Sequence, residues 1–100
     1  MTDTAITIEL ESSGAKGRYL ATVANHKEPA ELTFSVASDT LVIADHTGVP
    51  DSLRGTGVGH ALVARLVEDA RAGGFLILPL CPFVNAQRRK HPEWADAFKA

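Results

Sequence analysis

Residues 40–80 constrain the fold more than any other part of the chain. Thr40-Leu41-Val42-Ile43-Ala44-Asp45 is short, β-branched and apolar, the make-up of a strand. From Val58 the apolar positions fall at Val58, Ala61, Leu62, Leu66, Val67 and Ala70, which is helix spacing, and Glu68, Asp69 and Arg71 supply a wet face. Gly73-Gly74 stops that helix, because glycine readily takes the left-handed conformation at a helix C-terminus. Phe75-Leu76-Ile77-Leu78-Pro79-Leu80 follows, an unbroken apolar run suited to a strand buried on both faces. The segment predicts a β-loop-α-β unit with a helix over 57–72 and a strand over 75–80. The two strands are expected to be parallel and joined by a right-handed crossover.

The N-terminal half reads as a meander. Residues 5–10 alternate well enough for a strand, 12–17 are rich in Ser and Gly and form a turn, and 18–24 make a second strand with Tyr19, Ala21 and Val23 on one side. After a turn over 25–29, residues 30–37 alternate Leu32, Phe34 and Val36, and Ser38-Asp39 turns into the strand at Leu41. Beyond Pro82 the pattern predicts a short helix over 83–91 and another over 92–98, with Trp94 and Phe98 four apart on one face. The sum is an α/β mixed sheet: an antiparallel meander, a parallel β-loop-α-β unit and short C-terminal helices. One hundred residues with 45% apolar content suit one compact domain over 1–100, without repeats, linkers or low-complexity segments.

Chemistry points to Leu53-Arg54-Gly55-Thr56-Gly57-Val58-Gly59-His60, where the helix begins. The first N–H groups of a helix have no internal partner and the macrodipole makes that end positive. Glycines let a bulky anion approach those N–H groups, so the stretch reads as a phosphate cradle. A Walker A loop requires Lys and then Ser or Thr after its last glycine, whereas His60-Ala61 follows here. A dinucleotide fingerprint requires glycine where His60 stands, a short strand-to-helix turn, and an acidic residue ending the next strand; none is present. A third pattern fits: Arg or Gln, two residues, Gly, one residue, Gly or Ala, as in Arg54-Gly55-Thr56-Gly57-Val58-Gly59.

That pattern resembles the pyrophosphate loop of the GNAT N-acetyltransferase superfamily, which binds the coenzyme A of acetyl-CoA. The resemblance extends over roughly residues 40–98: His46-Thr47-Gly48-Val49-Pro50, the glycine loop, Pro79-Leu80-Cys81-Pro82-Phe83-Val84 and His91-Pro92-Glu93-Trp94 occur in this order in small single-domain, YjdJ-type members. It implies a GNAT-like sheet with acetyl-CoA or CoA as cosubstrate. It puts Thr47, Val49, Arg54, Gly55, Thr56, Gly57, Val58, Gly59 and His60 on that cosubstrate; the residues alone leave Thr56 open as a helix cap, Arg54 as a solvated loop arginine, Gly57 and Gly59 as turn glycines and His60 as solvent-exposed. It implies an amine acceptor, a small molecule or a protein lysine. The pantetheine arm is expected in a gap where the fourth and fifth strands part near Thr47 and Cys81. Pro79 agrees with a gap, since proline donates no N–H to a paired interior ladder; a bulge without ligand is the alternative.

Cys81 and His46 are the catalytic candidates. Cys81 ends the fifth strand, and three roles are open: a nucleophile, a general acid returning a proton to the departing thiolate, or a buried wall. His46 is a candidate general base, or it holds a loop; Asp45 is a weaker base. A backbone N–H near the end of the fourth strand is the candidate oxyanion donor. Many family members use a tyrosine as acid on the helix after the fifth strand. Here the only tyrosine is Tyr19, and Gln87 stands near the position where related small domains carry one. His26 and His91 read as structural or exposed, and Arg88-Arg89-Lys90 as a solvated face or a contact for the 3′-phosphate.

Composition removes other classes. A formal net charge of −2 does not favour nucleic acid or an anionic membrane. No apolar run approaches membrane-spanning length, and Met1-Thr2-Asp3-Thr4 opens no basic-then-apolar targeting segment. A single cysteine excludes an internal disulfide and suits a reducing cytoplasm, and the four histidines lack metal-site spacing. Three functional classes remain: an acetyl-CoA-dependent N-acetyltransferase; a non-catalytic acetyl-CoA or CoA module acting as sensor or partner subunit; and an unrelated phosphate-ligand binder. The short chain, without the usual acceptor-side N-terminal helices, favours the second over the first.

Overall fold

The computed structural model describes residues 5–99; the residues read for a targeting segment, 1–4, lie outside it. Strands β1 (Ile6–Ser13), β2 (Lys16–Val23), β3 (Ala30–Ser38) and β4 (Leu41–Gly48) precede helix α1 (Val58–Gly73), strand β5 (Leu76–Pro79) and helix α2 (Pro82–Lys90). Two 3-10 segments, Asp51–Leu53 and Pro92–Ala97, complete the chain. The five strands form one sheet in sequence order. β1 to β4 pair antiparallel and β5 joins β4 in parallel, as the periodicity required.

Register explains which residues meet. Gly14 lies at φ +62°, so Ser13 and Lys16 pair across a two-residue loop, and the expected turn over 12–17 contracts to its glycine. Opposite partners share a face: Tyr19 lies against Leu32, Phe34 against Ala44, and Val42 against Ile77. All are buried with Leu62, Val63, Leu66 and Val67, the apolar stripe of α1. Burying a side chain such as Leu62 contributes about 1.5–3 kcal/mol. The Tyr19 hydroxyl donates to Asp69 Oδ2 at 2.6 Å, tying β2 to the polar side of α1. Gly74, at φ +73°, ends α1, its N–H bonding Ala70 O at 2.9 Å.

The other sheet face is uncovered among the described residues. It carries Glu9, Glu11, Arg18, Leu20, Glu31, Thr33, Ser35, Ile43 and Leu78, all exposed or half-buried. This corrects the expectation that 75–80 is buried on both faces. Leu76 is 39% and Leu80 63% exposed, and only Ile77 is fully buried. Val36 also departs from its alternation partners: Leu32 and Phe34 are buried, but Val36 lies beyond the cover of α1. Phe98 is not on a helix with Trp94. It is extended and bridges Ile77 in parallel, while Lys99 N–H donates to Ile77 O at 2.9 Å.

Candidate functional site

The glycine loop adopts the backbone its composition allows. Gly55 and Gly57 both lie in the left-handed region, at φ +80° and +82°. Left-handed residues interleaved with ordinary ones turn successive N–H groups toward one side, a concavity that suits an anion. Gly57 is the N-cap of α1, with no side-chain hydrogen bond of its own. Thr56 is therefore not the cap. Its hydroxyl donates to Leu53 O at 2.6 Å and accepts a long bond, 3.4 Å, from the Val58 N–H. Among the described residues no protein acceptor meets the N–H groups of Gly55, Gly57, Gly59 and His60. They are the orphan donors of a helix start, left for water or a ligand.

The other loop residues sit around that cradle. Arg54 is exposed and its Nε pairs with Asp51 Oδ1 at 3.1 Å; the preceding 3-10 turn, which the sequence reading missed, brings the two together. Val58 is buried and anchors the first turn. Gly59 serves packing: a Cβ there would lie 2.6 Å from Phe83 Cζ of α2. His60 reaches the same helix, its Nδ1 donating to Gln87 Oε1 at 3.3 Å. Its ring stacks on Trp94, centroids 5.3 Å apart, and lies 4.8 Å from His91. Gln87 is thus engaged with His60, and Tyr19 with Asp69 on α1.

A gap between β4 and β5 follows from their unequal lengths. Their ladder ends at Ala44 opposite Pro79, and a last bond joins Cys81 N–H to Ala44 O at 2.9 Å. β4 continues through Asp45, His46, Thr47 and Gly48, paired only with β3. The parting comes about three residues before Thr47. A bulge accompanies it: Phe34 pairs with Ala44 and Thr33 with His46, so Asp45 is extra. Asp45 accepts from the Ser35 hydroxyl at 2.6 Å on the open face.

The bulge sets which side chains flank the gap. Thr47 lies opposite buried Leu32, on the α1 side, and Val49 packs against the same core. Thr47 Oγ1 is 3.2 Å from Cys81 Sγ, and Cys81 is only 2% exposed. His46 pairs with Thr33 on the open face and is exposed. The two catalytic candidates therefore flank the gap from opposite faces of the sheet and do not meet. Arg88 is held by Asn85 Oδ1 at 2.8 Å, which leaves Arg89 and Lys90 as the exposed cations of the α2 terminus. No group of His, Cys, Asp and Glu among the described residues is arranged to hold a metal ion, and no helix there is long and apolar enough to cross a membrane.

A five-stranded mixed sheet that parts between its parallel strands, beside a glycine-lined helix start, defines the class of domain. The family model for the GCN5-related N-acetyltransferases matches residues 18–97, and the chain belongs to that family. It is similar to a GCN5-like protein from Staphylococcus aureus, a candidate N-acetyltransferase whose solution structure was determined by NMR. The two are 26% identical with a TM-score of 0.67, over 100% of this chain and 92% of that one. No curated protein matches.

Proposed function

We propose that this domain binds acetyl-CoA through the Arg54–His60 loop and transfers the acetyl group to an amine. The observation that carries the reading is the set of unpartnered N–H groups at Gly55, Gly57, Gly59 and His60, beside a β4 end that lacks a strand partner toward β5. Such donors fit a pyrophosphate, and an unpaired strand edge fits the amides of a pantetheine arm. Acetyl-CoA, when bound, supplies an activated thioester carbonyl for the amine to attack. Thr47 and Val49 line the gap on the core side, and Cys81 closes it.

The chain's own groups then have separable tasks. Cys81 is bonded to a threonine hydroxyl, which is not a base, so the thiol fits positioning or proton donation better than covalent catalysis. His46, on the open face, is the base candidate for an acceptor arriving from that side. The irregular backbone at Asp45–His46 is the candidate oxyanion donor. This chemistry belongs in the cytoplasm, where a free thiol stays reduced.

A non-catalytic CoA module is the second reading, favoured by one observation: Tyr19 and Gln87 are both committed to internal partners, so no phenol is at hand to protonate a thiolate. Calorimetry with acetyl-CoA, CoA and ATP tests the cosubstrate. We expect the first two to bind and ATP to bind far more weakly; equal binding of ATP contradicts the assignment. An acetylation screen over small amines and lysine peptides then separates enzyme from module, since product formation above the uncatalysed rate is expected only of the enzyme.

A further inference from the structure

The free edge of the sheet lies away from the glycine loop and from the ends of β4 and β5. β1 is an edge strand over Ile6–Ser13, and among the described residues nothing pairs with its outer side. Ala24 N–H donates to Ala5 O at 2.9 Å, so Ala5 and the odd-numbered residues after it turn their backbone groups toward β2. Ile6, Ile8, Leu10 and Ser12 turn theirs outward. The strand has no proline, no lysine and no break in register, and its two charges, Glu9 and Glu11, both lie on the open face. The opposite edge is different, since Phe98 and Lys99 cover Ile77 of β5.

We propose that β1 is a homodimer seam, in which the β1 strands of two copies pair antiparallel about Ile8. Backbone and side chains select this register together. Outward-facing residues must meet outward-facing residues, so the register can slide only in steps of two. With Ile8 opposite the partner's Ile8, Ile6 meets the partner's Leu10, and Thr7 meets the partner's Glu9. Each apolar side chain of the helix-bearing face then finds an apolar one, including Leu10, which is 48% exposed in the single chain. A slide one way sets Glu9 against the partner's Glu9, an unfavourable like-charge pair. A slide the other way leaves Leu10 without an apolar partner. The Ile8-centred register supplies about six backbone hydrogen bonds. It stays clear of the ends of β4 and β5, because β2 and β3 lie between.

Sedimentation equilibrium on the intact chain, from micromolar to millimolar concentration, reads the assembly directly. Thr7 and Glu9 are exposed on the open face, so changes there spare the core. Thr7→Glu sets two like-charge pairs across the seam and is expected to weaken the dimer about tenfold. Adding Glu9→Lys turns both into opposite-charge pairs and restores it. Amide exchange gives a second readout: Ile6, Ile8 and Leu10 are expected to become protected as concentration rises. A chain that stays monomeric at millimolar concentration overturns the proposal. So does a dimer indifferent to Thr7→Glu, or one whose Ile8 and Leu10 amides exchange at the dilute rate.

Discussion

The bond between Tyr19 and Asp69 allows fold and function to be perturbed separately. The phenol donates to Asp69 Oδ2 at 2.6 Å from a side chain that is almost wholly buried. Asp69 is shared with Arg65, whose Nε lies 3.2 Å away, and its side chain is 31% exposed. The two ends of the bond are therefore not equivalent. Tyr19→Phe removes the donor, but Asp69 keeps Arg65 and some water, so the loss sits near the low end for a bond to a charged acceptor, about 1.5 kcal/mol. Asp69→Ala strands a buried hydroxyl and removes the Arg65 pair, for about 2–3 kcal/mol. Urea midpoints at unchanged m-value measure both, and each kcal/mol moves Tm by about 4–8 °C in a domain of this size. Alkali adds a second signature. Burial, and then the bond to Asp69, raise the Tyr19 pKa well above its ordinary 10.0. Above about pH 10 the unfolded chain gives up this proton while the folded chain keeps it. Stability then falls as pH rises, by up to about 1.4 kcal/mol per pH unit, a slope that Tyr19→Phe removes. CoA binding is expected to be unchanged in Tyr19→Phe. A Tyr19→Phe loss equal to that of Asp69→Ala, or parallel alkaline profiles for parent and variant, would show that the Tyr19–Asp69 bond does not contribute in this way.

Three further outcomes follow from the geometry. Gly59→Ala brings a Cβ to 2.6 Å from the Phe83 ring; overpacking of about 1–3 kcal/mol outweighs a gain in helix propensity of up to about 1 kcal/mol, and Phe83→Leu is expected to relieve the clash in a double-mutant cycle. The Asp96 carboxyl is held below its usual range by the Arg71 guanidinium at 2.7 Å, so its contribution is present above the ordinary carboxylate range and is lost as pH falls through the folded value; Asp96→Asn should flatten the acid limb of a stability profile. Incubation with acetyl-CoA followed by mass spectrometry is expected to show no acetyl adduct on Cys81, and an adduct that chases onto an added amine would establish the covalent role instead.

Local pattern carried most of the fold. The stripe from Val58 to Ala70 and the alternation of Tyr19, Ala21 and Val23 each bury one face, and such periodicity needs no knowledge of partners. The end of β4 was less legible: the expected strand stops at Asp45, whereas the structure carries it through His46, Thr47 and Gly48, which lack the apolar signal of a strand because one edge is open there. Phe98 departs from the helix expected over 92–98 because a spacing of four suits an α-helix, whereas the 3-10 turn that forms there repeats every three residues. In the candidate site the glycines marked the segment but not its conformation: Gly55 and Gly57 are left-handed and Gly59 is not. The side-chain meetings were not legible. Thr47 and Cys81 stand 34 residues apart and His60 and Gln87 27 apart, and only the register of β4 with β5 and the packing of Phe83 on Gly59 bring them together.

If the start of α1 holds the pyrophosphate of CoA, Gly57 is the residue whose substitution reports it most directly. Its φ is +82° and no atom lies within 4 Å of the site a Cβ would take, so a substitution there meets backbone strain but no neighbour. That strain is about 1–2 kcal/mol for Gly57→Ala and no larger for Gly57→Asp, because Asp enters the left-handed region more readily than Ala. Only Asp adds a charge. At a separation of about 5 Å and an effective dielectric of about 20, two unit charges repel by about 3 kcal/mol, reduced by salt. Calorimetric titration with CoA is expected to show binding by the parent, a modest loss in Gly57→Ala, and at least about tenfold weaker binding in Gly57→Asp than in Gly57→Ala. Equal affinity of the Asp and Ala variants, with both folded, or no CoA binding by the parent, would mean that the pyrophosphate does not sit at the start of α1.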